Sequence, residues 1–265
     1  EIYTLSLHDA LPIFGARKVK TMNQKLKEIV DGSKKIAFFG GAGVSTESGI
    51  PDFRSEAGLY SAKSEYGYSP EQMLSHSFFM AQPRVFFDYY KKNLVYPEAK
   101  PNKAHKALAK LEMMGKISGI VTQNVDGLHQ LAGNTKVFEL HGSVLKNFCM
   151  DCHEFYDLDY LMDEENSIDG IPKCRKCGGM VKPDIVLYEE ALDSNVISGA
   201  VEAIGSADTL IVGGTSLVVY PAAGLVQYFR GDDIVLINKT ETPYDKKADL
   251  VIYDSIGEVL GDAVL

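Results

Sequence analysis

The sequence predicts an α/β fold with a doubly wound parallel sheet and a smaller second lobe. Six short runs rich in Val, Ile and Leu have the composition of strands buried on both faces. Helical patterns separate several of these runs, and such alternation favours a parallel, Rossmann-like sheet. Two insertions, at residues 55–100 and 146–182, interrupt the alternation and form the smaller lobe. The predicted strands are Ile36 to Phe39, Ile117 to Val121, Val137 to Leu140, Thr209 to Val212, Ile234 to Ile237 and Leu250 to Tyr253.

Composition limits the class of protein. The chain has 265 residues, 45% hydrophobic and 24% charged, as in a globular protein with one large core and an appendage. The net charge of -9 disfavours a nucleic-acid surface but suits a lysine-rich protein partner. No apolar run approaches the length of a membrane span, and the cysteines form two pairs. We therefore expect a cytoplasmic protein that binds neither membranes nor nucleic acids.

Residues 1–21 do not share the pattern of the rest of the chain. They lack a basic start, and their apolar run is broken by His8, Asp9 and Pro12, so we do not interpret them as a secretion signal. The first methionine, Met22, directly precedes a helical pattern. We expect residues 1–21 to be a foreign or disordered extension. The Rossmann-like domain then comprises residues 22–54, 101–145 and 183–265.

Start and stop signals bound the helices. Asn102 is predicted to cap a helix that ends at Gly115, and Pro221 to begin another that runs to Gly231. Within residues 55–100, a capping-box spacing and a proline that precedes an aromatic run are typical of short helices. The first insertion is therefore predicted to be a small helical module.

Small and polar residues follow each predicted strand. In an open parallel sheet the carboxyl ends of the strands share one edge, where ligands bind. Loop residues are polar in most proteins, but that explanation does not account for all six strand ends. We therefore expect one ligand cleft at this edge. The residues concerned are Gly41–Gly43, Thr122–Asp126, His141–Gly142, Gly213–Ser216, Asn238 and Asp254.

The second insertion holds all four cysteines as two CxxC pairs. Two tight turns that each present two thiolates are typical of a tetrahedral zinc site. Because every cysteine is used, no coordination position is left open, and the zinc is predicted to be structural and to fold residues 146–182. A redox dithiol is the alternative. The predicted ligands of this single ion are Cys149, Cys152, Cys174 and Cys177.

A glycine-rich turn, Gly41–Gly43, follows the first strand. Alone it is a weak indication of phosphate binding, because Thr46 replaces the third glycine of the dinucleotide fingerprint. The segment continues to Asp52, Phe53 and Arg54, and an aromatic ring with a guanidinium would shield a bound ring and hold a pyrophosphate. A core contact for Phe53 and a surface ion pair for Arg54 are the alternatives.

His141 follows the third strand and precedes a glycine, where backbone can approach closely. An imidazole exchanges protons near neutral pH, so His141 is the best general-base candidate, and the other histidines are interpreted as structural. Gln123, Asn124 and Asp126 follow the second strand and offer hydrogen bonds to a carboxamide and a ribose. A capping turn is an equally good explanation for Asn124 or Asp126 taken alone.

Two short segments near the junction of the lobes are predicted to be extended. Their backbone edges would clamp an extended peptide as an added strand. Each segment is equally well explained as an internal strand of the fold. The candidate peptide-binding residues are Val186, Leu187, Tyr188, Leu217, Val218 and Val219.

Several segments occur in an order shared with one family: GAGVSTESGIPDFR, TQNVDGLH, ELHG, the paired CxxC, KPDIVLYEE, GTSLVVYPAA and INKTETPYD. In these motifs the chain, from about Lys34 to its C-terminus, resembles the sirtuins, which are NAD-dependent protein lysine deacylases, and is most similar to their bacterial deacetylase branch. The resemblance implies that NAD is consumed as a co-substrate with acetyl-lysine-containing proteins or peptides. It also implies that nicotinamide and O-acetyl-ADP-ribose are released.

The resemblance further implies roles for individual residues. The acyl oxygen of the modified lysine attacks the ribose as nicotinamide leaves, and His141 then deprotonates a ribose hydroxyl that attacks the imidate carbon. Asn124 and Asp126 are expected to share this catalytic site. From the motifs and the resemblance together, the expected NAD contacts in the first loop are Gly41, Ala42, Gly43, Thr46, Asp52, Phe53 and Arg54. The expected nicotinamide and ribose pocket is Gln123, Asn124, Val125 and Asp126, and the adenosine half is held by Gly214, Thr215, Ser216, Asn238 and Ile256.

The acyl group is expected to be uncharged. Sirtuins that remove succinyl and malonyl groups carry a tyrosine and an arginine in the helical module, where this chain has Asp88 and Lys91. A buried acyl carboxylate without a guanidinium partner is costly, so the resemblance predicts weak desuccinylation.

Three other functions remain to be compared. A dehydrogenase would need the missing third glycine, and a zinc-ribbon interaction module would leave His141 without a role. A protein ADP-ribosyltransferase uses the same NAD and is the hardest to separate. We expect the chain to be a monomer.

Overall fold

The computed structural model describes residues 22–52, 63 and 65–265. The predictions for residues 1–21, for Phe53 and Arg54, and for residues 55–62 and 64 lie outside the described residues. The described strands, in chain order, are β1 (Ile36–Gly40), β2 (Ile117–Thr122), β3 (Val137–Glu139), β4 (Gly142–Cys149), β5 (Phe155–Tyr156), β6 (Ser167–Ile168), β7 (Ile171–Pro172), β8 (Val181–Ile185), β9 (Thr209–Gly213), β10 (Asp233–Ile237) and β11 (Leu250–Ile252).

The six predicted strands pair in one parallel sheet, in the order β11-β10-β9-β1-β2-β3. Each begins and ends within one residue of its predicted bounds. The chain winds outward from β1 to β3, returns to β9 beside β1, and winds the other way to β11. The direction of winding reverses between β1 and β9, and ligands of open parallel sheets bind at such a switch point, outside the carboxyl ends of the strands. The predicted fold class is confirmed.

Helices cover both faces of this sheet. Phe38 of β1 belongs to one core and Phe39 to the other, because successive side chains of a strand point to opposite faces. The predicted cap of the helix Lys103–Met113 by Asn102 is confirmed. Among the described residues, no helix combines the length and apolar character that a bilayer crossing requires. One face carries the helices 22–32, Lys103–Met113 and Ile256–Val264, and the other carries Ser194–Gly205 and the 3-10 helix Ala222–Tyr228.

The helix predicted from Pro221 to Gly231 differs from the observed one. The structure has the 3-10 helix Ala222–Tyr228, which ends three residues before Gly231. It ends there because the backbone becomes extended at Phe229, with φ −62° and ψ 138°. The guanidinium of Arg230 donates to the carbonyl oxygen of Gln227, which the end of the helix leaves free.

The two insertions form the small lobe around one shared hydrophobic core. Buried rings of the first insertion, among them Phe79 and Phe86, pack with Val181 and Ile185 of β8. The second insertion has too few apolar residues for a core of its own, so it depends on this contact and on its cysteines. The helical module contains Pro70–Met73, His76–Ala81 and Pro83–Asn93; the cysteine module contains the antiparallel sheet β5-β4-β8, the pair β6-β7 and the helix Leu158–Met162.

Strands β4 and β8 run from the central domain into the cysteine module, and the register of their pairing shifts between Ser143 and Asn147. They pair antiparallel from Gly142 opposite Ile185 to Cys149 opposite Val181. The domain boundaries predicted at 145/146 and 182/183 therefore fall inside strands. The boundary at 145/146 coincides with the register shift between Ser143 and Asn147 and not with the end of a strand, so the position of these boundaries stays a prediction.

Candidate active site

A cleft of about 630 Å³ lies at the carboxyl ends of the central strands. Residues after β1, β2, β3, β9, β10 and β11 all line it, as the pattern of polar strand ends predicts. The small lobe closes its other side through Pro70, Leu74 and Tyr188. The predicted residues that line the cleft are Gly41, Ala42, Gly43, Thr46, Asp52, Gln123, Asn124, Val125, Asp126, His141, Tyr188, Gly214, Thr215, Ser216, Val218, Asn238 and Ile256.

Two glycines let the loops after β1 and β9 touch through their backbones. The N–H of Gly43 donates to the carbonyl oxygen of Gly214 at 2.8 Å. A Cβ at Gly43 would lie 2.7 Å from the Cα of Gly214, and a Cβ at Gly214, whose φ is 59°, would lie 2.4 Å from the nitrogen of Val44. Close packing of the two loops therefore requires glycine at both positions, and this contact forms the floor of the cleft between β1 and β9.

A buried hydroxyl joins the two loops that follow β1 and β2. Ser45 is 1% exposed, and its Oγ donates to Oδ2 of Asp126 at 2.7 Å and accepts from Nδ2 of Asn124 at 3.0 Å. Oδ1 of Asp126 accepts from the N–H of Leu128 at 2.9 Å, so the carboxylate also caps a turn. Burial raises the pKa of Asp126, while the hydrogen bonds from Ser45 and Leu128 favour its charged form.

His141 is held in one tautomer by a backbone carbonyl. Its Nδ1 lies 3.0 Å from the carbonyl oxygen of Gln123, which can only accept, so Nδ1 carries the hydrogen and Nε2 of the neutral ring keeps its lone pair. Nε2 of Gln123 in turn donates to Oγ1 of Thr215 at 3.0 Å. The strand ends of β2, β3 and β9 are thus connected through these side chains, with a basic nitrogen in the cleft.

The first of the two segments predicted to bind a peptide already makes backbone hydrogen bonds within the chain. The N–H groups of Val186, Leu187 and Tyr188 all donate within the chain, to the carbonyl of His141, to Oε2 of Glu190 and to the carbonyl of Leu74. These three N–H groups are therefore already paired, and the partner of Tyr188 comes from the helical insertion. Peptide binding by this segment stays a prediction.

The second segment is not extended throughout, because Leu217 has a φ of 56° and is 2% exposed in the core beside β9. Leu187 is also buried, in the core of the small lobe. By contrast, the side chains of Tyr188 and Val218 are exposed and line the cleft.

The four cysteine sulfurs converge on one point, within 4.8 Å of one another. Cys149 and Cys177 are 3.4 Å apart, and Cys152 and Cys174 are 3.6 Å apart. Tetrahedral zinc with bonds of about 2.3 Å to sulfur requires distances of this size, so the four thiolates fit a structural zinc ion. Backbone N–H groups of Asp151 and Lys176 donate to two of the sulfurs at 3.4 Å, which supports the thiolate form.

Some cleft residues were not expected from the sequence. Ser45 stands within the first motif, but its only distinguishing property is burial, which the sequence does not report. Glu71 and Leu94 come from the helical insertion, and which of its residues meet the cleft depends on how the insertion docks. Asp88 and Lys91 do not line the cleft: Asp88 pairs with Lys92 at 2.9 Å, and Lys91 pairs with Glu164 at 2.6 Å.

Comparison with known sequences gives one consistent family. A family model described as the Sir2 family matches residues 41–221. A protein of Clostridium perfringens named NAD-dependent protein deacetylase is 64% identical over 241 residues, which cover 91% of this chain and 97% of that protein. A protein of the same name from Clostridium tetani is 60% identical, over 91% of this chain and 96% of that protein.

Solved structures agree with this result. A structure described as showing the mechanism and regulation of Sir2 enzymes has a TM-score of 0.81 and 42% identity, and the match covers 92% of this chain and 97% of that one. A Sir2 complex with a p53 peptide and NAD+ has a TM-score of 0.78 and 36% identity, over 89% of this chain and 94% of that one. A Sir2 variant with a deacetylated p53 peptide and 3'-O-acetyl-ADP-ribose has a TM-score of 0.81 and 35% identity, over 91% of this chain and 99% of that one. The chain belongs to the Sir2 family.

Proposed function

We propose that this cleft removes acetyl groups from lysine side chains at the expense of NAD, with His141 as the general base. Acetyl-lysine, NAD and one water molecule are consumed, and the products are lysine, nicotinamide and O-acetyl-ADP-ribose. The observation that carries the proposal is the fixed tautomer of His141, whose Nδ1 hydrogen is taken up by the carbonyl of Gln123. The relatives named NAD-dependent protein deacetylase support the same activity.

The tautomer of His141 decides which nitrogen takes the proton. Because Nδ1 donates to Gln123, only Nε2 is available to accept a proton from a ribose hydroxyl. The hydroxyl then becomes the nucleophile that attacks the carbon of the transferred acyl group. The turn at Gly142 holds the ring at the mouth of the cleft, because this residue has a φ of 74° and pairs directly with Ile185 of β8.

The NAD molecule is proposed to lie across the strand ends. Ala42, Thr46 and Asp52 contact it from the first loop, and the predicted contacts of Phe53 and Arg54 belong to the same loop. The nicotinamide and its ribose occupy the pocket of Gln123 to Asp126, where Asn124 and Asp126 keep their orientation through Ser45. The adenosine half is bound by Gly214, Thr215, Ser216, Asn238 and Ile256.

The acetyl-lysine peptide is proposed to enter between the lobes. Tyr188 and Val218 present exposed side chains to the cleft. The main chains of their neighbours in the sequence are proposed to contact the peptide as well; these are Val186, Leu187, Leu217 and Val219. Solved Sir2 complexes with p53 peptides and with a propionylated peptide support a peptide substrate with an uncharged acyl group.

No arginine lines the cleft among the described residues. A succinyl carboxylate would therefore be desolvated without a bidentate partner, so we expect weak desuccinylation. Turnover of a succinyl-lysine peptide as fast as its acetyl counterpart would refute this specificity.

The activity is tested by incubating the purified chain with NAD and an acetyl-lysine peptide and analysing the products by mass spectrometry. The proposal predicts equimolar nicotinamide, deacetylated peptide and acetylated ADP-ribose. In His141→Ala, the formation of deacetylated peptide and of acetylated ADP-ribose should be lost, because His141 acts after nicotinamide has left. Transfer of labelled ADP-ribose to protein without deacetylation would instead identify an ADP-ribosyltransferase. A rise in reduced nicotinamide absorbance would identify a dehydrogenase.

The zinc site is proposed to be structural, and it supplies no chemistry to the reaction. Its four thiolates tie the turns at Cys149 and Cys174 together and so hold the small lobe in shape. Cysteines used as metal ligands are typical of a reducing compartment, which supports a cytoplasmic location. The net charge of -9 supports a protein partner and not a nucleic acid. The predicted monomeric state is checked by light scattering.

A further inference from the structure

We propose that Asn102 is a positioning residue for the NAD-binding turn, in addition to being a helix cap. The role rests on the proposed function, since it concerns the affinity for NAD. Asn102 begins the helix Lys103–Met113 and does not itself line the cleft. Its side chain, however, hydrogen-bonds to the turn that lines the cleft, at Val44 and Ser48.

The two ends of the Asn102 amide perform different tasks. Oδ1 accepts from the N–H of Ala104 at 2.9 Å, which is the normal bond of a helix cap. Nδ2 is not needed for that cap. It donates to the carbonyl oxygen of Val44 at 2.7 Å and to Oγ of Ser48 at 3.0 Å, both more than fifty residues earlier in the chain.

The two acceptors lie on either side of Ser45. Val44 ends the 3-10 turn Ala42–Val44, and Ser48 ends the next turn, Thr46–Ser48. Between them, Ser45 makes the hydrogen bond to Asp126 that joins the loops of β1 and β2. By holding both flanking residues from behind, Asn102 sets how far Ser45 and the residues after it reach into the cleft.

The helix that carries Asn102 is a rigid base for this contact. Its residues Ala104, Leu108 and Leu111 are buried in the core of the central sheet. The turn is also attached elsewhere: the N–H of Gly257 donates to Oε2 of Glu47 at 2.7 Å, and Ser45 and Gly43 bond to Asp126 and Gly214. Loss of the Asn102 contacts would therefore loosen the turn without releasing it completely.

Asn102→Asp separates the two tasks. Aspartate caps a helix as well as asparagine does, and a negative charge is favourable at a helix N-terminus. It offers no N–H, however, and it brings an oxygen to the carbonyl oxygen of Val44. We expect the variant to fold, with kcat within about threefold of wild type and with Kd and KM for NAD raised about 5- to 30-fold, as expected for two lost neutral hydrogen bonds.

Two further variants complete the test. Asp193→Ala removes the cap of the helix Ser194–Gly205, whose first N–H groups it binds, and Asp193 does not line the cleft. It is expected to lower Tm and leave the NAD affinity unchanged. Ser48→Ala removes one acceptor of Asn102 and keeps the helix cap, so it is expected to weaken NAD binding about two- to fivefold. If Asn102→Asp does not fold, the NAD affinity of Ser48→Ala tests the positioning role instead.

NAD binding is measured by calorimetry on the full chain. Wild-type affinity in both Asn102→Asp and Ser48→Ala would overturn the positioning role and leave the proposed function intact. A wild-type chain that does not bind NAD would overturn both. Equal weakening in Asp193→Ala would mean that NAD affinity follows general stability, and would also overturn the positioning role.

Discussion

Gly142→Ala tests whether the backbone beside His141, the proposed general base, tolerates a side chain. Gly142 has a φ of 74°, and an added Cβ would lie 1.9 Å from the carbonyl oxygen of Asp184. That oxygen belongs to β8, which pairs with β4 at this point. The methyl group therefore either separates the two strands or moves His141, so we expect a loss of both stability and turnover.

Gly115 provides a matched control. Its φ is 75°, and no atom lies within 4 Å of an added Cβ. Gly115→Ala therefore measures the left-handed backbone conformation alone, at about 1–2 kcal/mol. Gly142→Ala adds an overlap of the kind that costs about 1–3 kcal/mol in packed cores. At about 2–4 °C per kcal/mol for a chain of this size, its Tm should fall about 2–12 °C further than that of Gly115→Ala.

Thermal unfolding and deacetylation kinetics are measured for both variants. A displacement of the reacting group by about 1 Å can lower turnover about 100-fold, so kcat should fall in Gly142→Ala and remain unchanged in Gly115→Ala. Equal Tm values for the two variants, together with wild-type kcat in Gly142→Ala, would refute the reasoning.

Four further predictions follow from the same structure. His141→Asn should lower kcat about 10²- to 10⁴-fold while calorimetry still detects NAD binding; wild-type kcat would exclude general-base catalysis by His141. Burial raises the pKa of Asp126, so the charged carboxylate destabilises the folded state above that pKa. Asp126→Asn should therefore raise Tm at neutral pH, and this gain should disappear as the pH falls towards about 4, while turnover is lowered. A lower Tm of the variant at neutral pH would contradict this. Burial lowers the pKa of His105 to about 4 and that of His129 to about 3, so both rings stay neutral in the folded protein where the unfolded chain binds protons. The free energy of unfolding should therefore fall as the pH drops from about 6.5 towards 4, by up to about 1.4 kcal/mol per pH unit for each ring. His129→Leu should flatten this slope in urea titrations, and an unchanged slope would show that His129 is not responsible. Metal analysis should give one zinc per chain, and its removal by a chelator should lower Tm and abolish peptide binding; full activity of zinc-free protein would contradict a structural role.

The sheet and its ligand edge were predictable because both depend on local patterns. The run from Ile36 to Phe39 is apolar at every position, which suits only a strand covered on both faces. Once parallel strands are assigned, the position of His141 follows from topology, since the residue after β3 must lie at the same edge as the residues after β1 and β2. The cysteine cluster was predictable for the same reason, because a CxxC pair is a local pattern in which one tight turn presents two thiolates to a metal ion.

The parts that were not predictable depend on contacts between distant segments. Ser45 bonds to Asp126, 81 residues later, and nothing near Ser45 in the sequence specifies that partner. The N–H of Tyr188 donates to the carbonyl oxygen of Leu74, which belongs to an insertion whose docking no local pattern describes. Leu217 has an extended-looking neighbourhood, yet the need to bury its side chain beside β9 places it in the left-handed region.

The central claim is that Nε2 of His141 takes a proton from a ribose hydroxyl of bound NAD. It is tested most directly by a crystal structure of the full chain with NAD and an acetyl-lysine peptide. The account predicts a distance of about 2.6–3.2 Å between Nε2 and one ribose hydroxyl, with Nδ1 still bonded to the carbonyl of Gln123. A ribose that lies farther from Nε2 than a single bridging water can span, or a ring turned so that Nδ1 faces the sugar, would contradict it.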